Sequence, residues 1–330
     1  MFDRTVLEFL IVGVSSFALT AILSHFIIPI LRSKKAGQPI REEGPKAHYA
    51  KAGTPTMGGI AFIFAMLFIA LVLTVVYAVR GEQARLIPLG LTLALAVFNG
   101  MIGFFDDYRK LLKKQNEGLK SWQKFGLQVI AAIIYIVLLV NFGGLDTTLH
   151  IPFLGKTVEL GIVYYVFAVI LIVGVVNSVN LTDGVDGLAS SVTLVIGMLL
   201  CAVSFAQGNL PLGLVSACLM GGTLGFLMYN FYPARAFMGD TGSLFLGGMV
   251  VGSAFMLNNP LIVLVFGLIF VIETLSVILQ VASFKLTGKR IFKMSPIHHH
   301  FEKCGWSEVK ILSVFSFVTL LCCVLAWFGI

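Results

Sequence analysis

Five aspartates stand at the ends of long apolar segments in a chain that otherwise carries little charge. They are found in F-F-D-D-Y-R-K, N-L-T-D-G-V-D-G-L and F-M-G-D-T-G-S, as Asp106, Asp107, Asp183, Asp186 and Asp240. An acidic side chain near the centre of a bilayer costs about 2.5–3.5 kcal/mol on insertion scales. Their recurrence at the ends of apolar segments therefore indicates a site for a metal ion and phosphate groups.

The adjacent pair Asp106 and Asp107 has chemistry of its own. Neighbouring carboxylates repel each other unless a cation or a proton lies between them. One of the two can bind a divalent metal while the other accepts a proton. Lys110 follows about one helical turn later, where its ammonium group can meet a phosphate. The alternative is a solvated charge cluster at the end of a helix.

Residues 177–188 combine carboxylates, an amide and two glycines. Asn180, Asp183 and Asp186 recur at a spacing of three, and Gly184 and Gly187 lie among them. Glycine allows the backbone to turn tightly and approach a ligand closely. The side chains offer contacts to a base, a ribose or a metal-bound water. A polar turn between two membrane helices is the alternative.

The segment 230–243 places Asp240 just before another apolar run. Its carboxylate is either a helix cap or a metal ligand beside the positive end of a helix. Phe237 either stacks on a planar ring or anchors the chain at the membrane interface. Asn230, Gly239 and Ser243 flank these two residues and are candidates for the same pocket.

Three consecutive histidines occur in S-P-I-H-H-H-F-E, as His298, His299 and His300. Consecutive histidines seldom converge on one zinc ion, so contacts to phosphate or to a sugar-nucleotide are favoured. We assign His299 as the candidate general acid or base, because imidazole titrates near neutral pH.

Four further residues are weaker candidates. Lys51 and Thr56, in K-A-G-T-P-T-M-G-G, are placed to contact a diphosphate, although a capped helix start also explains this segment. Lys124 either contacts a phosphate or sets membrane topology. Gln280 can read the edge of a base.

The composition indicates an all-α polytopic membrane protein. Of 330 residues, 58% are hydrophobic and 12% charged, which excludes a soluble globular protein. The apolar runs are continuous and do not alternate, which excludes a membrane β-barrel. We predict a single domain, 1–330, with ten membrane helices at 6–31, 57–79, 86–105, 123–141, 161–179, 187–207, 211–230, 243–258, 260–284 and 308–329.

Basic residues predict the orientation. Of 23 lysines and arginines, 19 lie in or beside the alternate connections that carry all five aspartates. The positive-inside rule places these connections in the cytoplasm and both termini outside. The same rule explains the net charge of +7 without a nucleic-acid partner. Residues 142–160 are expected to form a small external hairpin. A transporter is disfavoured because its ionisable groups would lie at mid-membrane.

Taken together, these motifs resemble those of the polyprenyl-phosphate N-acetylhexosamine-1-phosphate transferase superfamily. The resemblance covers essentially the whole chain and is closest to the branch that transfers phospho-N-acetylmuramoyl-pentapeptide. Relatives that transfer N-acetylglucosamine phosphate usually carry an arginine-containing histidine motif, whereas this chain has three histidines. Such a sibling transferase remains the alternative function. The motifs that carry the resemblance are G-T-P-T-M-G-G, F-F-D-D-Y-R-K, N-L-T-D-G-V-D-G-L, F-M-G-D-T-G-S and P-I-H-H-H-F-E.

The resemblance implies a reaction in which undecaprenyl phosphate attacks UDP-N-acetylmuramoyl-pentapeptide, giving lipid I and UMP in peptidoglycan synthesis. It implies Mg²⁺, a homodimer and a bacterial plasma membrane, with the active site facing the cytoplasm. Asp240 then resembles the main metal ligand, and Asp106 and Asp107 the catalytic pair. A one-step transfer and a covalent enzyme intermediate both remain open. The other pocket members implied are Lys51, Thr56, Lys110, Lys124, Asn180, Asp183, Asp186, Asn230, Phe237, Gln280 and the three histidines.

Overall fold

Long apolar runs fold as helices because the bilayer core offers the backbone no hydrogen-bond partner. A computed structural model describes residues 4–34, 51, 53–113 and 118–330. In this structure every predicted membrane segment contains a helix, which confirms the all-α polytopic fold. The helices are α1 Arg4–Ser33, α2 Ile60–Val79, α3 Ile87–Lys113, α4 Ser121–Phe142, α5 Val163–Thr182, α6 Leu188–Gln207, α7 Leu210–Asn230, α8 Gly239–Met256, α9 Val263–Phe266, α10 Leu268–Thr287, α11 Ile297–Lys303 and α12 Glu308–Trp327.

Helix α8 occupies the middle of the bundle. Across the described ranges, nine helices are long and apolar enough to cross a membrane, and α8 is not among them. Its glycines and polar first turn make it less apolar than the others, yet from Thr241 onward it is buried throughout. Its neighbours α3 and α5 pack closely against it: a Cβ on Gly248 would lie 2.7 Å from the Cα of Ala96, and one on Gly247 would lie 2.7 Å from the Cα of Val176. Small residues allow such close helix contacts in membranes.

Several predicted boundaries were wrong; helix α8, for example, begins at Gly239 rather than at residue 243, so Asp240 lies in its first turn. Helix α3 does not end at residue 105 but continues to Lys113, so Asp106 and Asp107 lie within the helix. The predicted helix 260–284 is divided into a 3₁₀ turn, α9 and α10, with Gly267 at the break. The predicted connection 285–307 contains the short helix α11, which carries the histidines.

A small antiparallel hairpin follows α4. Strand β1 (Thr148–Ile151) pairs with β2 (Lys156–Glu159), with Thr148 opposite Glu159. This confirms the hairpin predicted within 142–160.

Candidate functional site

Three aspartates from two helices meet at one end of the bundle. Asp106 and Asp107 come from the last turns of α3, and Asp240 comes from the first turn of α8. Each contributes a carboxylate oxygen, and these oxygens lie within 4.8 Å of one another. Close packing of α3 on α8 produces this convergence: a side chain on Gly103 would overlap the Asp240 carbonyl.

Asp107 is fully buried beneath the start of α8. Its Oδ2 accepts hydrogen bonds from the Thr241 backbone N–H at 2.9 Å and from the Thr241 hydroxyl at 2.8 Å. Its Oδ1 has no hydrogen-bond partner among the described residues. A buried carboxylate oxygen without a donor is costly, so it is a natural position for a cation or a proton.

Two lysines approach Asp240 from α3 and α4. Asp240 Oδ2 accepts from Lys124 Nζ at 2.9 Å and from Lys110 Nζ at 3.2 Å. Its Oδ1 accepts from the Asn180 amide at 2.9 Å, and that amide also donates to Ser243 Oγ at 2.8 Å. The end of α5 therefore fixes the orientation of the α8 carboxylate.

Asp106 is buried, and both of its carboxylate oxygens are engaged. Its Oδ1 accepts from the Leu119 backbone N–H at 2.8 Å, and its Oδ2 pairs with Lys110 Nζ at 2.6 Å. Lys110 also lies 3.9 Å from Asp107 Oδ1, so one ammonium group approaches all three carboxylates.

The donor set fits Mg²⁺. This ion prefers hard oxygen ligands and commonly uses one or two carboxylates together with water and substrate phosphates. Asp106, Asp107 and Asp240 supply such oxygens, and the unpartnered Asp107 Oδ1 needs positive charge. Asn180 and Ser243 supply further polar atoms beside Asp240.

The segment before α2 forms one wall of the site. Its backbone pairs with the segment before α8: Phe237 N–H donates to Pro55 O and Gly58 N–H donates to Phe237 O, both at 2.8 Å. Gly239 has a φ of +71° and leaves room for no side chain, because a Cβ would lie 2.5 Å from Asp107 Oδ2 and 2.8 Å from the Thr56 hydroxyl. The structure thus places Thr56, Phe237 and Gly239 beside the aspartate cluster.

Asp183 follows α5 and differs from the other aspartates. Its half-buried carboxylate has no hydrogen-bond partner within the described part of the chain. Burial raises its pKa well above the ordinary value, and the negative charges of Asp240, Asp107 and Asp186 raise that pKa further. An unpaired acceptor beside the cluster suits a ligand with hydrogen-bond donors.

Lys51 and Asp186 form a separate ion cluster with Glu308. Lys51 Nζ lies 2.6 Å from Asp186 Oδ1 and 2.6 Å from Glu308 Oε2. Burial disfavours the charged form of Lys51, but the hydrogen bonds that its ammonium donates to the two carboxylates, together with their negative charges, outweigh this and raise the Lys51 pKa. The Lys51 ammonium is therefore held by the protein.

The three histidines of α11 have different partners. His298 is buried, its Nδ1 lies 3.0 Å from Glu273 Oε2, and its Nε2 faces Gly184. His299 Nδ1 lies 2.6 Å from a Glu302 oxygen. His300 Nδ1 accepts from the Lys293 backbone N–H at 3.1 Å. The three contacts thus go to three different residues, Glu273, Glu302 and Lys293.

Two amide side chains proposed as substrate contacts hold loop backbone. Gln280 accepts from the N–H groups of Ile291 and Phe292 at 3.0 and 2.9 Å, and donates to Phe292 O at 3.0 Å. Asn230 donates to Ala236 O at 3.0 Å and accepts from Ser190 Oγ at 3.0 Å. Both residues shape connections near the site, and their direct contact with substrate stays a prediction.

Sequence reasoning missed Glu308. The available signal was weak: an acidic residue in the first turn of the last helix, directly after the N-cap Ser307. Such a residue is common as a partner of the helix dipole. Only the fold shows that Lys51, 257 residues away, is its ion-pair partner.

The chain is similar to known proteins over almost its whole length. Residues 88–258 match glycosyl transferase family 4, and residues 51–63 match phospho-N-acetylmuramoyl-pentapeptide-transferase signature 1. A phospho-N-acetylmuramoyl-pentapeptide-transferase of Clostridium perfringens is 48% identical over 314 residues, covering 95% of this chain and 96% of the relative. One of Staphylococcus aureus is 48% identical over 321 residues, covering 96% and 97%. One of Clostridium botulinum is 43% identical over 332 residues, covering 100% and 98%.

Proposed function

The chain belongs to the family of phospho-N-acetylmuramoyl-pentapeptide-transferases, and we propose that the cluster of Asp106, Asp107 and Asp240 is its catalytic centre. The enzyme transfers phospho-N-acetylmuramoyl-pentapeptide in peptidoglycan synthesis. The convergence of three carboxylates and two lysines at one end of a membrane bundle carries the assignment of the centre. Phosphoryl transfer depends mainly on positioning and on stabilising charge, which this cluster can provide.

The donor is UDP-N-acetylmuramoyl-pentapeptide and the acceptor is undecaprenyl phosphate. The acceptor phosphate attacks the β-phosphorus of the donor, the bond to UMP breaks, and lipid I forms. A water-soluble donor and a membrane-bound acceptor must meet at the membrane surface. The site lies at the ends of helices α3, α4, α5 and α8, which supports this pairing.

Mg²⁺ is the proposed cofactor, held by Asp240 with Asp106 and Asp107. When bound, it supplies positive charge that screens the phosphates of the two reactants and stabilises the charge on leaving UMP. Lys110 and Lys124 also supply positive charge to the phosphates, because each donates to Asp240 and can turn toward a phosphate.

Within the adjacent pair, we assign proton handling to Asp107. Both oxygens of Asp106 are engaged, one by Leu119 N–H and the other by Lys110. Asp107 Oδ1 is the oxygen of the pair without a hydrogen bond. It can therefore orient the acceptor phosphate or take its proton, whereas Asp106 holds Lys110 in place.

The remaining residues are assigned to the donor. Asn180, Asp183 and Phe237 face the uridine side, and Gly239 leaves space above the carboxylate cluster. His299 is the candidate general acid or base, and its Nδ1 contact with Glu302 orients the ring. The other proposed donor contacts are Lys51, Thr56, Asp186, Asn230, Ser243, Gln280, His298 and His300.

A reconstitution experiment tests this function. Protein in vesicles is expected to release UMP only when UDP-N-acetylmuramoyl-pentapeptide and undecaprenyl phosphate are both present. UDP-N-acetylglucosamine serves as the competing donor. Preferential use of that competitor would support the sibling transferase and overturn our assignment, which signature 1 at residues 51–63 favours.

The transfer is proposed to occur in one step. Isotope exchange between UMP and the donor, measured without undecaprenyl phosphate, separates the alternatives. No exchange is expected for direct attack by the acceptor. Rapid exchange would show a covalent enzyme intermediate and contradict direct attack.

Finally, we infer that this multi-pass protein lies in the bacterial plasma membrane with its site facing the cytoplasm and both termini outside. The supporting observation is that 19 of 23 basic residues lie in or beside the connections on the site side. Family resemblance supports a homodimer, which mass measurement in detergent or nanodiscs tests. The bilayer is the expected environment, and no nucleic-acid partner is proposed.

A further inference from the structure

A buried ion cluster ties three connections to the last helix of the bundle. Lys51 precedes α2, Asp186 lies between α5 and α6, and Glu308 begins α12. Lys51 Nζ lies 2.6 Å from an oxygen of each carboxylate. The third connection, between α7 and α8, joins through the Ala234 backbone N–H, which donates to Asp186 Oδ2 at 2.8 Å.

Glu308 makes two contacts with a single oxygen. Besides Lys51, Oε2 accepts from the Asp186 backbone N–H at 3.1 Å. Asp186 and Glu308 are only 2% and 8% exposed. Two buried carboxylates depend on the shared ammonium group, since a buried charge left without a partner is strongly destabilising. Glu308 thus fixes both the side chain of Lys51 and the backbone at Asp186.

The cluster is linked to the aspartate cluster along the chain. Asp183, the unpaired carboxylate beside the catalytic centre, precedes Asp186 by three residues. From Ala234 the chain continues to Phe237, whose backbone pairs with Pro55, and then to Asp240. A shift at Lys51, Asp186 or Ala234 therefore moves the residues that face the donor.

We propose that Glu308 is a positioning residue for the transfer reaction, acting through Lys51 and Asp186. This inference rests on the proposed function, because the donor side of the site is what the cluster positions. Glu308 holds the Lys51 ammonium beside Asp186 and holds the α5–α6 connection in its binding geometry. It does not contact the reacting atoms.

The first test separates positioning from loss of folded enzyme. Glu308→Gln keeps the shape of the side chain and removes its charge. We expect KM for UDP-N-acetylmuramoyl-pentapeptide to rise about tenfold while kcat changes by less than about threefold. A variant that merely folded less well would lower kcat per mole of protein and leave KM unchanged. That second result would overturn the proposal.

A double variant tests whether Lys51 neutralises the two carboxylates of Asp186 and Glu308. Lys51→Met leaves Asp186 and Glu308 facing each other as like charges without their shared ammonium. Adding Glu308→Gln removes one of these charges, so the double variant should bind the donor better than Lys51→Met alone. Non-additivity of this kind is expected of residues in one network. Strictly additive losses would contradict the proposal.

Hydrogen exchange gives a readout that does not depend on turnover. In Glu308→Gln, amide exchange should accelerate in peptides that cover 183–188 and 231–238. Glu82→Gln is the matched control, because Glu82 is exposed and pairs with the exposed Arg85 away from the site. Unchanged exchange in Glu308→Gln would overturn the positioning role of Glu308 but not the proposed function. Absent turnover in the wild type would instead overturn the proposed function.

Discussion

Almost every carboxylate oxygen in the aspartate cluster already has a hydrogen-bond or ion-pair donor. Asp106 and Asp240 have both oxygens engaged, and Asp107 has one. Three carboxylates face two ammonium groups, which leaves an excess of negative charge in a buried place. Like charges this close raise the free energy of the site unless a cation or proton joins them. Bound Mg²⁺, the proposed cofactor, would compensate this excess negative charge.

Chelation and substitution test that argument together. EDTA should stop turnover, and added Mg²⁺ should restore it. Asp240→Asn should lower kcat on the order of 100-fold or more, because it removes the carboxylate that both lysines contact. Asp146→Asn, at an exposed aspartate beside the hairpin, is the matched control. Mg²⁺-dependent turnover that survives in Asp240→Asn would refute the metal role.

Asp183 illustrates a carboxylate kept at a cost in stability. Because its pKa is raised in the folded state, its stabilising contribution is full below the unfolded pKa of about 3.9 and is lost as pH rises through the folded pKa. Asp183→Asn should therefore raise the melting temperature at pH 8, and this gain should vanish near pH 4. The same variant should raise KM for the donor. If Asp183→Asn melts at the wild-type temperature at pH 8, the Asp183 carboxylate does not lower the stability of the folded protein.

At the scale of elements, helix α8 determines where the three clustered carboxylates meet. Its N-terminal turn carries Asp240, and its close approach to α3 brings this residue to Asp106 and Asp107. The approach is possible because Gly103 leaves the Asp240 carbonyl in contact with the α3 backbone. Helix packing thus sets the distances between the three clustered carboxylates, the proposed metal ligands.

A pair of glycine substitutions on α3 tests this packing. Gly103→Ala would overlap the Asp240 carbonyl, whereas a Cβ on Gly90 has no atom within 4 Å. Since a misplacement of about 1 Å can cost about 100-fold in rate, Gly103→Ala should lower kcat strongly. Gly90→Ala should retain activity, because its new methyl group meets open space. It is a matched control, since both variants add the same methyl group to the same helix. Equal activity of the two variants would contradict the packing argument.

The helices themselves were largely predictable, because long apolar runs in the sequence indicate membrane helices. The details that failed depend on tertiary contacts. Helix α3 continues past residue 105 to Lys113, and the ion pair of Asp106 with Lys110 one turn later lies within this extension. Gly267 interrupts the apolar stretch 261–272, and hydropathy does not detect such a break. The motifs identified the three clustered aspartates, but Glu308 required the fold, since nothing near it in sequence indicates Lys51.

At the scale of the whole molecule, charge and apolar surface are distributed separately. Large apolar side chains such as Val79, Phe64 and Leu321 are exposed along the helices, as expected of a surface that contacts lipid. The basic residues concentrate at the helix ends that carry the site, with 19 of 23 in or beside those connections. A strong asymmetry of this kind sets orientation during insertion.

Thiol labelling tests the orientation that follows. Cys304 is exposed between α11 and α12 on the site side, while the other four cysteines are buried or half-buried. A membrane-impermeant maleimide should label Cys304 in permeabilised cells but not in intact cells. In a Cys304→Ser background, Thr157→Cys on the exposed strand β2 should label in intact cells. The reverse pattern would place the site outside, where no cytoplasmic UDP-linked donor could reach it, so this measurement constrains orientation and substrate access together.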